Sequence, residues 1–234
     1  MKLTCFGHSC FLVESAGTRF LFDPFIRPNP LAAHIEVEKI QADVILISHA
    51  HMDHIADAVE LATRTGAKVL ASWEVADWLG KQGVTTAHPM NHGGSVKTHG
   101  ARIKMVNAIH SSSLPDGSYG GNPAGFVVET SEGSFYYSGD TALTLDMNLI
   151  AEEFDLAFAV LPFDGDKSLL RKLREEMYQG ATYMDEPKTL LDQVALVFRS
   201  KPHDCVAVIT SVLNAMRGRS RVAQAVATDY EKTA

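Results

Sequence analysis

Asp43-Val-Ile-Leu-Ile-Ser-His-Ala-His-Met-Asp-His54 joins a short apolar run to a dense set of polar donors. Val44–Ile47 is continuous and branched, the pattern of a strand buried on both faces. His49, His51, Asp53 and His54 follow at once, three imidazoles and a carboxylate within six residues. Nitrogen and oxygen donors of this kind suit borderline divalent metals such as zinc, at about 2.0–2.2 Å. Alternate residues of an extended turn point the same way, so His49 and His51 can grip one metal. Asp53 and His54, at the start of a helix, can turn toward a second.

On the N-terminal side, Leu3–Phe6, Cys10–Glu14 and Arg19–Asp23 are aromatic and branched runs separated by small turns, and predict three strands. Pro24 stops the third, and Arg27–Leu31 reads as a loop. On the C-terminal side, Ile55–Thr65 has helical spacing and ends at Gly66. Lys68–Ala71 predicts a strand, Glu74–Lys81 a helix and Ala101–Ile109 a strand. Ser111–Gly125 is a long Ser- and Gly-rich loop, expected to be mobile and to close over a cleft. Phe126–Thr130 and Ser134–Ser138 predict a hairpin ending at Gly139-Asp140-Thr141. Leu145–Glu153 reads as a helix and Leu156–Leu161 as a buried strand. Helices are expected over 166–178, 186–200 and 211–230, with a strand at Val206–Thr210. β-runs followed by αβ alternation, twice over, suggest two sheets covered by helices.

The 234 residues, 46% hydrophobic and 21% charged, exclude a disordered chain and a coiled coil. A net charge of −7 with no Lys/Arg run argues against nucleic acid and anionic membranes as partners. No apolar stretch approaches the roughly 20 residues that span a bilayer. Gly7-His8-Ser9 interrupts the apolar N-terminus, which reads as strands rather than a signal peptide. Three cysteines, Cys5, Cys10 and Cys205, fit a reducing cytoplasm better than a disulfide scaffold. Composition leaves a homo-oligomer open.

Ser48-His-Ala-His-Met-Asp-His54 resembles the HxHxDH signature of the metallo-β-lactamase superfamily. FGHSCFLVE, LFDPF, DAVELATRTGAKVLA, HPMNHGGS, HSSSLPDGSYGGNPAGFVVET and YSGDTAL extend the likeness to bacterial metal-dependent hydrolases near the ascorbate-6-phosphate lactonase branch, over about residues 1–162. The resemblance implies a single α/β domain, an αβ/βα four-layer sandwich with a dinuclear metal site at the sheet edge. It implies His49, His51 and His110 as ligands of a first metal, Asp53 and His54 of a second, and Asp140 as the bridging carboxylate. His8 matches the Gly-His-Ser-Cys start, and either faces the cleft or makes a structural hydrogen bond. Asp23 either accepts hydrogen bonds from the metal-binding loop or is a plain strand-end carboxylate. Ser111, Ser112, Ser113, Tyr119 and Asn122 are candidates to face substrate. His34, His88, His92 and His99 are expected at the periphery.

The segment 163–234 departs from the family pattern, leaving the second half of the sandwich open to being incomplete. The last metal-binding His expected after a Pro-Met or Pro-Ile pair is not found at its place. Uneven occupancy follows as an expectation, with about one tightly held metal per chain. Asp164, Asp166 and His203 are candidate replacements for the second position. The function expected is a hydrolase that uses a metal-bound hydroxide, with Asp53 orienting it, on a small ester, lactone or phosphoester. Zn2+ is the expected metal, with Mn2+ or Ni2+ compatible. The alternative is a catalytically impaired metal-binding or regulatory protein that keeps the fold. A Ser nucleophile is disfavoured, since no His/Asp pair beyond the metal set is left to activate it.

Overall fold

A computed structural model describes residues 1–142, 144–163 and 205–209. Among the described residues, twelve strands form two six-stranded sheets. The first holds β1 (Lys2–Gly7), β2 (Cys10–Ser15), β3 (Thr18–Phe22), β4 (Val44–Leu46), β5 (Lys68–Ser72) and β6 (Ala87–Met90), in that order. The second holds β7 (Ser95–Thr98), β8 (Ala101–Asn107), β9 (Ala124–Thr130), β10 (Gly133–Tyr137), β11 (Leu156–Phe163) and β12 (Cys205–Ile209), also in chain order. Helices α1 (Met52–Ile55), α2 (Ala58–Thr65), α3 (Trp73–Lys81) and α4 (Asp146–Glu153), with short 3₁₀ turns at Pro30–Ala32 and Val37–Lys39, complete the described elements.

The layering follows from the two-residue period of strands. Phe20 and Phe22 of β3, Val44 and Leu46 of β4, Phe126 and Val128 of β9, and Phe135 and Tyr137 of β10 meet between the sheets. Their alternates face outward. Leu21 and Ile45 pack with Ile55, Leu61, Val75 and Leu79 beneath α1–α3, and Val127 and Tyr136 pack with Ile150 of α4 and Phe154 just after it. The result is the four-layer αβ/βα sandwich.

Strand direction decides where the loops collect. β1 to β3 are antiparallel neighbours, and β3 to β6 run parallel. The C-terminal ends of β1, β3 and β4 therefore lie on one edge. In the second sheet β8, β9 and β10 alternate, so the ends of β8 and β10 share an edge. The backbone N–H of Ala124 donates to Ser48 O at 2.9 Å and locks the two edges together. Gly139 fits against this junction with φ +61°, where an added Cβ would lie 2.5 Å from Ala124 O and 2.7 Å from Ser48 Cβ.

The expected helix over Ile55–Thr65 is two helices. It breaks at Asp57 (φ −101°, ψ 4°), whose buried carboxylate accepts from the backbone N–H of Ile26 at 2.5 Å and Arg27 at 3.1 Å. That tie to the loop after β3 outweighs helical continuity. Gly66 ends α2 in the left-handed region, as its position predicts. Strands β6 and β7 are additions to the sequence reading, and Ala108 and Ile109 fall beyond the end of β8. Strand β12 coincides with the expected strand near 206–210, while the helices expected over 166–178, 186–200 and 211–230 lie outside the described residues. The loop expected over 111–125 ends at Pro123, because Ala124 and Gly125 open β9, and it is tied at its base. Gly120 N–H donates to Ser112 O and Leu114 N–H to Ser118 O, and Leu114 is buried.

Candidate metal centre

Five loops meet at the shared edge: the β1–β2 turn with His8, the end of β3 with Asp23, the segment after β4 with His49–His54, the segment after β8 with His110, and the end of β10 with Asp140. The rings of His49 and His51 lie 4.5 Å apart, and that of His110 lies 5.0 Å and 5.1 Å from them. One donor atom from each of the three lies within 4.8 Å of the others.

Hydrogen bonds point to the inward-facing nitrogen of His49 and of His51. Ser48 Oγ gives its proton to Asp23 Oδ2 at 2.5 Å, so at 2.9 Å it accepts from His49 Nδ1. The lone pair of His49 is thereby left on Nε2. Ser111 Oγ lies 3.4 Å from His51 Nε2 and is placed to accept its proton. The inward atoms, His49 Nε2 and His51 Nδ1, face each other at 2.9 Å. Two ligands about 2.0–2.1 Å from a tetrahedral metal would stand roughly 3.3 Å apart, so the pair is close to ligating geometry.

The second half is built on Asp23, which is fully buried and has φ +40°. It accepts from Ser48 N–H at 2.7 Å, Ser48 Oγ, Tyr137 Oη at 2.5 Å and His54 Nδ1 at 2.8 Å. A carboxylate behind a ring nitrogen fixes the tautomer and raises the basicity of the other nitrogen. That other nitrogen, His54 Nε2, is buried and makes no hydrogen bond of good geometry. It faces Asp140 Oδ2 at 3.3 Å, and His110 Nε2 approaches the same oxygen at 3.9 Å. Asp140 thus stands between the two halves. Asp53 Oδ2 lies 3.0 Å from His8 Nε2.

Charge and burial act on these groups in opposite directions. Burial, helped by His54 nearby, pushes His49 down to about 3, so it is neutral and available as a ligand at neutral pH. Burial and His110 lower His51 as well. Burial also opposes a charge on His54, but Asp23 and Asp140 outweigh it and lift the ring to about 10. The contact with His8 holds the Asp53 carboxyl well below its usual range. An orphaned buried imidazole nitrogen between two carboxylates, beside three converging imidazoles, fits a divalent cation.

The structure brings together His8, Asp23, His49, His51, Asp53, His54, His110 and Asp140. Ser112 ties its loop to the metal-binding segment, its Oγ accepting from the N–H of Ala50, between His49 and His51, at 3.1 Å. Asn122 Oδ1 accepts from exposed Tyr119 Oη at 2.6 Å. Asp164, Asp166 and His203 lie outside the described residues. Sequence reasoning missed Ser48 and Tyr137. Ser48 could have been found as the polar residue closing a buried strand, whereas nothing local marks Tyr137, which reaches Asp23 across the sheet interface.

A family profile described as a β-lactamase superfamily domain matches residues 18–177. A UPF0173 metal-dependent hydrolase of Methylacidiphilum infernorum is 50% identical over 165 residues, 70% of this chain and 73% of that protein. Its counterpart in Flavobacterium johnsoniae is 48% identical over 162 residues, 69% of this chain and 72% of that protein. Among solved structures, Igni18, a metallo hydrolase from the hyperthermophilic archaeon Ignicoccus hospitalis, superposes with TM-score 0.61 and 32% identity, covering 83% of this chain and 77% of that one. An isothiocyanate hydrolase from Delia radicum gut bacteria superposes at TM-score 0.58 and 22% identity, over 70% of this chain and 72% of that one, a likeness of fold alone.

Proposed function

The chain belongs to the UPF0173 metal-dependent hydrolases of the β-lactamase superfamily, and from that premise we propose that it hydrolyses a small ester, lactone or phosphoester. The observation that carries the reading is the convergence of His49 Nε2 and His51 Nδ1 at 2.9 Å, each with its other nitrogen engaged by a serine. His49, His51 and His110 would hold one cation, with Asp140 shared. Asp53, His54 and the same Asp140 would hold a second. The nitrogen-rich set favours zinc, with Mn2+ and Ni2+ compatible. When bound, such a cation supplies Lewis acidity toward a carbonyl or phosphoryl oxygen and acidifies water toward neutrality.

The chain's own groups do the rest. Asp53 is half-exposed and ionised, so it accepts a hydrogen bond from the attacking water and aims it at the substrate. Ser48 and Asp23 keep the imidazoles in the ligating tautomer through the reaction. The exposed Tyr119 and Asn122 sit on the loop beside the cleft, where they can hydrogen-bond substrate. The acidic chain suits a small molecule rather than nucleic acid. Sparse cysteines, with Cys10 fully buried, suit a reducing cytoplasm.

A screen of generic esters, lactones and phosphodiesters, with and without chelator, tests this. Turnover should vanish on chelation and return with added Zn2+. His51→Ala and Asp140→Ala should lose metal and at least about 100-fold in rate while staying folded, because both lie on loops outside the core. Full metal loading with no hydrolysis of any ester, lactone or phosphodiester would overturn the enzyme reading in favour of a binding role. Wild-type metal content in either variant would overturn the site assignment.

A further inference from the structure

We propose that His8, carried on the β1–β2 turn, is the imidazole ligand of the second metal position, completing a His8–Asp53–His54 face opposite the shared Asp140. The inference rests on the two-position reading of the site and names a residue for the place the sequence leaves open.

Three observations carry it. One donor atom from each of His8, Asp53 and His54 lies within 4.8 Å of the other two, the same closeness as in the His49–His51–His110 set. The two triads share this spacing but differ in charge, since only the His8 set contains a carboxylate. His8 Nε2 is buried and without a hydrogen bond of good geometry, although it lies 3.0 Å from Asp53 Oδ2. A nitrogen so close to a carboxylate oxygen, yet off its bonding line, is arranged as a neighbouring ligand is. The His8 ring also stands edge-on to His54 at 5.2 Å and to Phe25 at 5.6 Å, which fixes its direction.

The backbone supplies the third. Gly7 pairs with Cys10, so His8 and Ser9 alone turn the chain. His8 sits at φ +51°, a left-handed conformation in which His, Asn and Asp are the side chains most often found, so the tight turn itself fixes where its ring is carried. The register slip between Cys5 and Gly7 aims the turn into the edge where Asp53 and His54 lie.

The test uses the full chain, stripped by chelator and reloaded with Co2+, with bound metal counted after dialysis and the visible spectrum recorded. Wild type should retain two Co2+ per chain. His8→Asn keeps the turn, since Asn tolerates positive φ, but is too short to ligate. It should retain one, with the second position weakened at least about tenfold and the cobalt bands changed. His8→Gln can still hydrogen-bond Asp53 and serves as the control for a purely orienting role. It should resemble His8→Asn. Two Co2+ retained in His8→Asn, or restoration by His8→Gln, would overturn the proposal, as would a wild type holding a single Co2+ that His8→Asn leaves unchanged. His51→Ala separates this from the broader reading. It should remove the first cation whatever His8 does, and if it too changes nothing, the functional reading fails rather than the role of His8.

Discussion

Asp23 shows how much one residue carries at this site. Its carboxylate has no exposure and satisfies donors from the β4 end, from α1 and from β10. A buried charge is tolerated only when it is paired and hydrogen-bonded this fully. Tyr137 is the donor from the second sheet, and burial followed by the Asp23 charge pushes its own hydroxyl well up, so it remains a donor at any physiological pH. Tyr137→Phe removes one charged hydrogen bond and leaves the volume unchanged. It should cost about 1.5–3 kcal/mol in urea unfolding and weaken metal binding by roughly 10–100-fold through a less firmly held His54. Unchanged metal affinity would mean that Ser48 and His54 alone fix Asp23.

At the scale of elements, the pairing of β3 with β4 sets the depth at which the His49–His54 segment leaves the sheet. Arg19 and Asp43 pin that register. Arg19 Nε and Nη2 donate to the two carboxylate oxygens at 2.9 Å and 2.7 Å, and Arg19 N–H donates to Oδ2 at 2.8 Å. The guanidinium holds the Asp43 carboxyl below its usual value. A carboxyl lowered on folding stabilises above its unfolded value, near 3.9, and the benefit is lost as pH falls through the folded value. Asp43→Asn should therefore destabilise by about 1 kcal/mol at pH 7, a modest figure because solvent screens the pair. The difference from wild type should shrink as the pH drops below about 4. Unfolding midpoints at pH 7 and pH 3.5 check the sign.

At the scale of the whole molecule, the two sheets are held by an aromatic layer. Phe22 stacks on Phe11 at 4.5 Å and meets Tyr137 at 5.3 Å and Phe135 at 5.9 Å, edge-on. Phe22→Ala should cost about 3–5 kcal/mol and lower metal retention too, because Asp23 is the next residue. Thermal melts with and without metal measure both effects. The described helices are too short to cross a membrane. Sequence by itself determined the alternation that assigns Phe20 and Phe22 to one face and Leu21 to the other, the buried strand ahead of His49, and the cluster from His49 to His54. Those are local facts, set by side-chain period and by neighbours within a few residues. Only the tertiary structure decided that α1 and α2 separate at Asp57, that Ser48 selects the His49 tautomer, that Tyr137 reaches Asp23 across the sheets, and that His8 comes to rest beside Asp53. Each depends on groups far apart in the chain meeting at one edge, and strand order and direction create that edge rather than any pattern within a single segment.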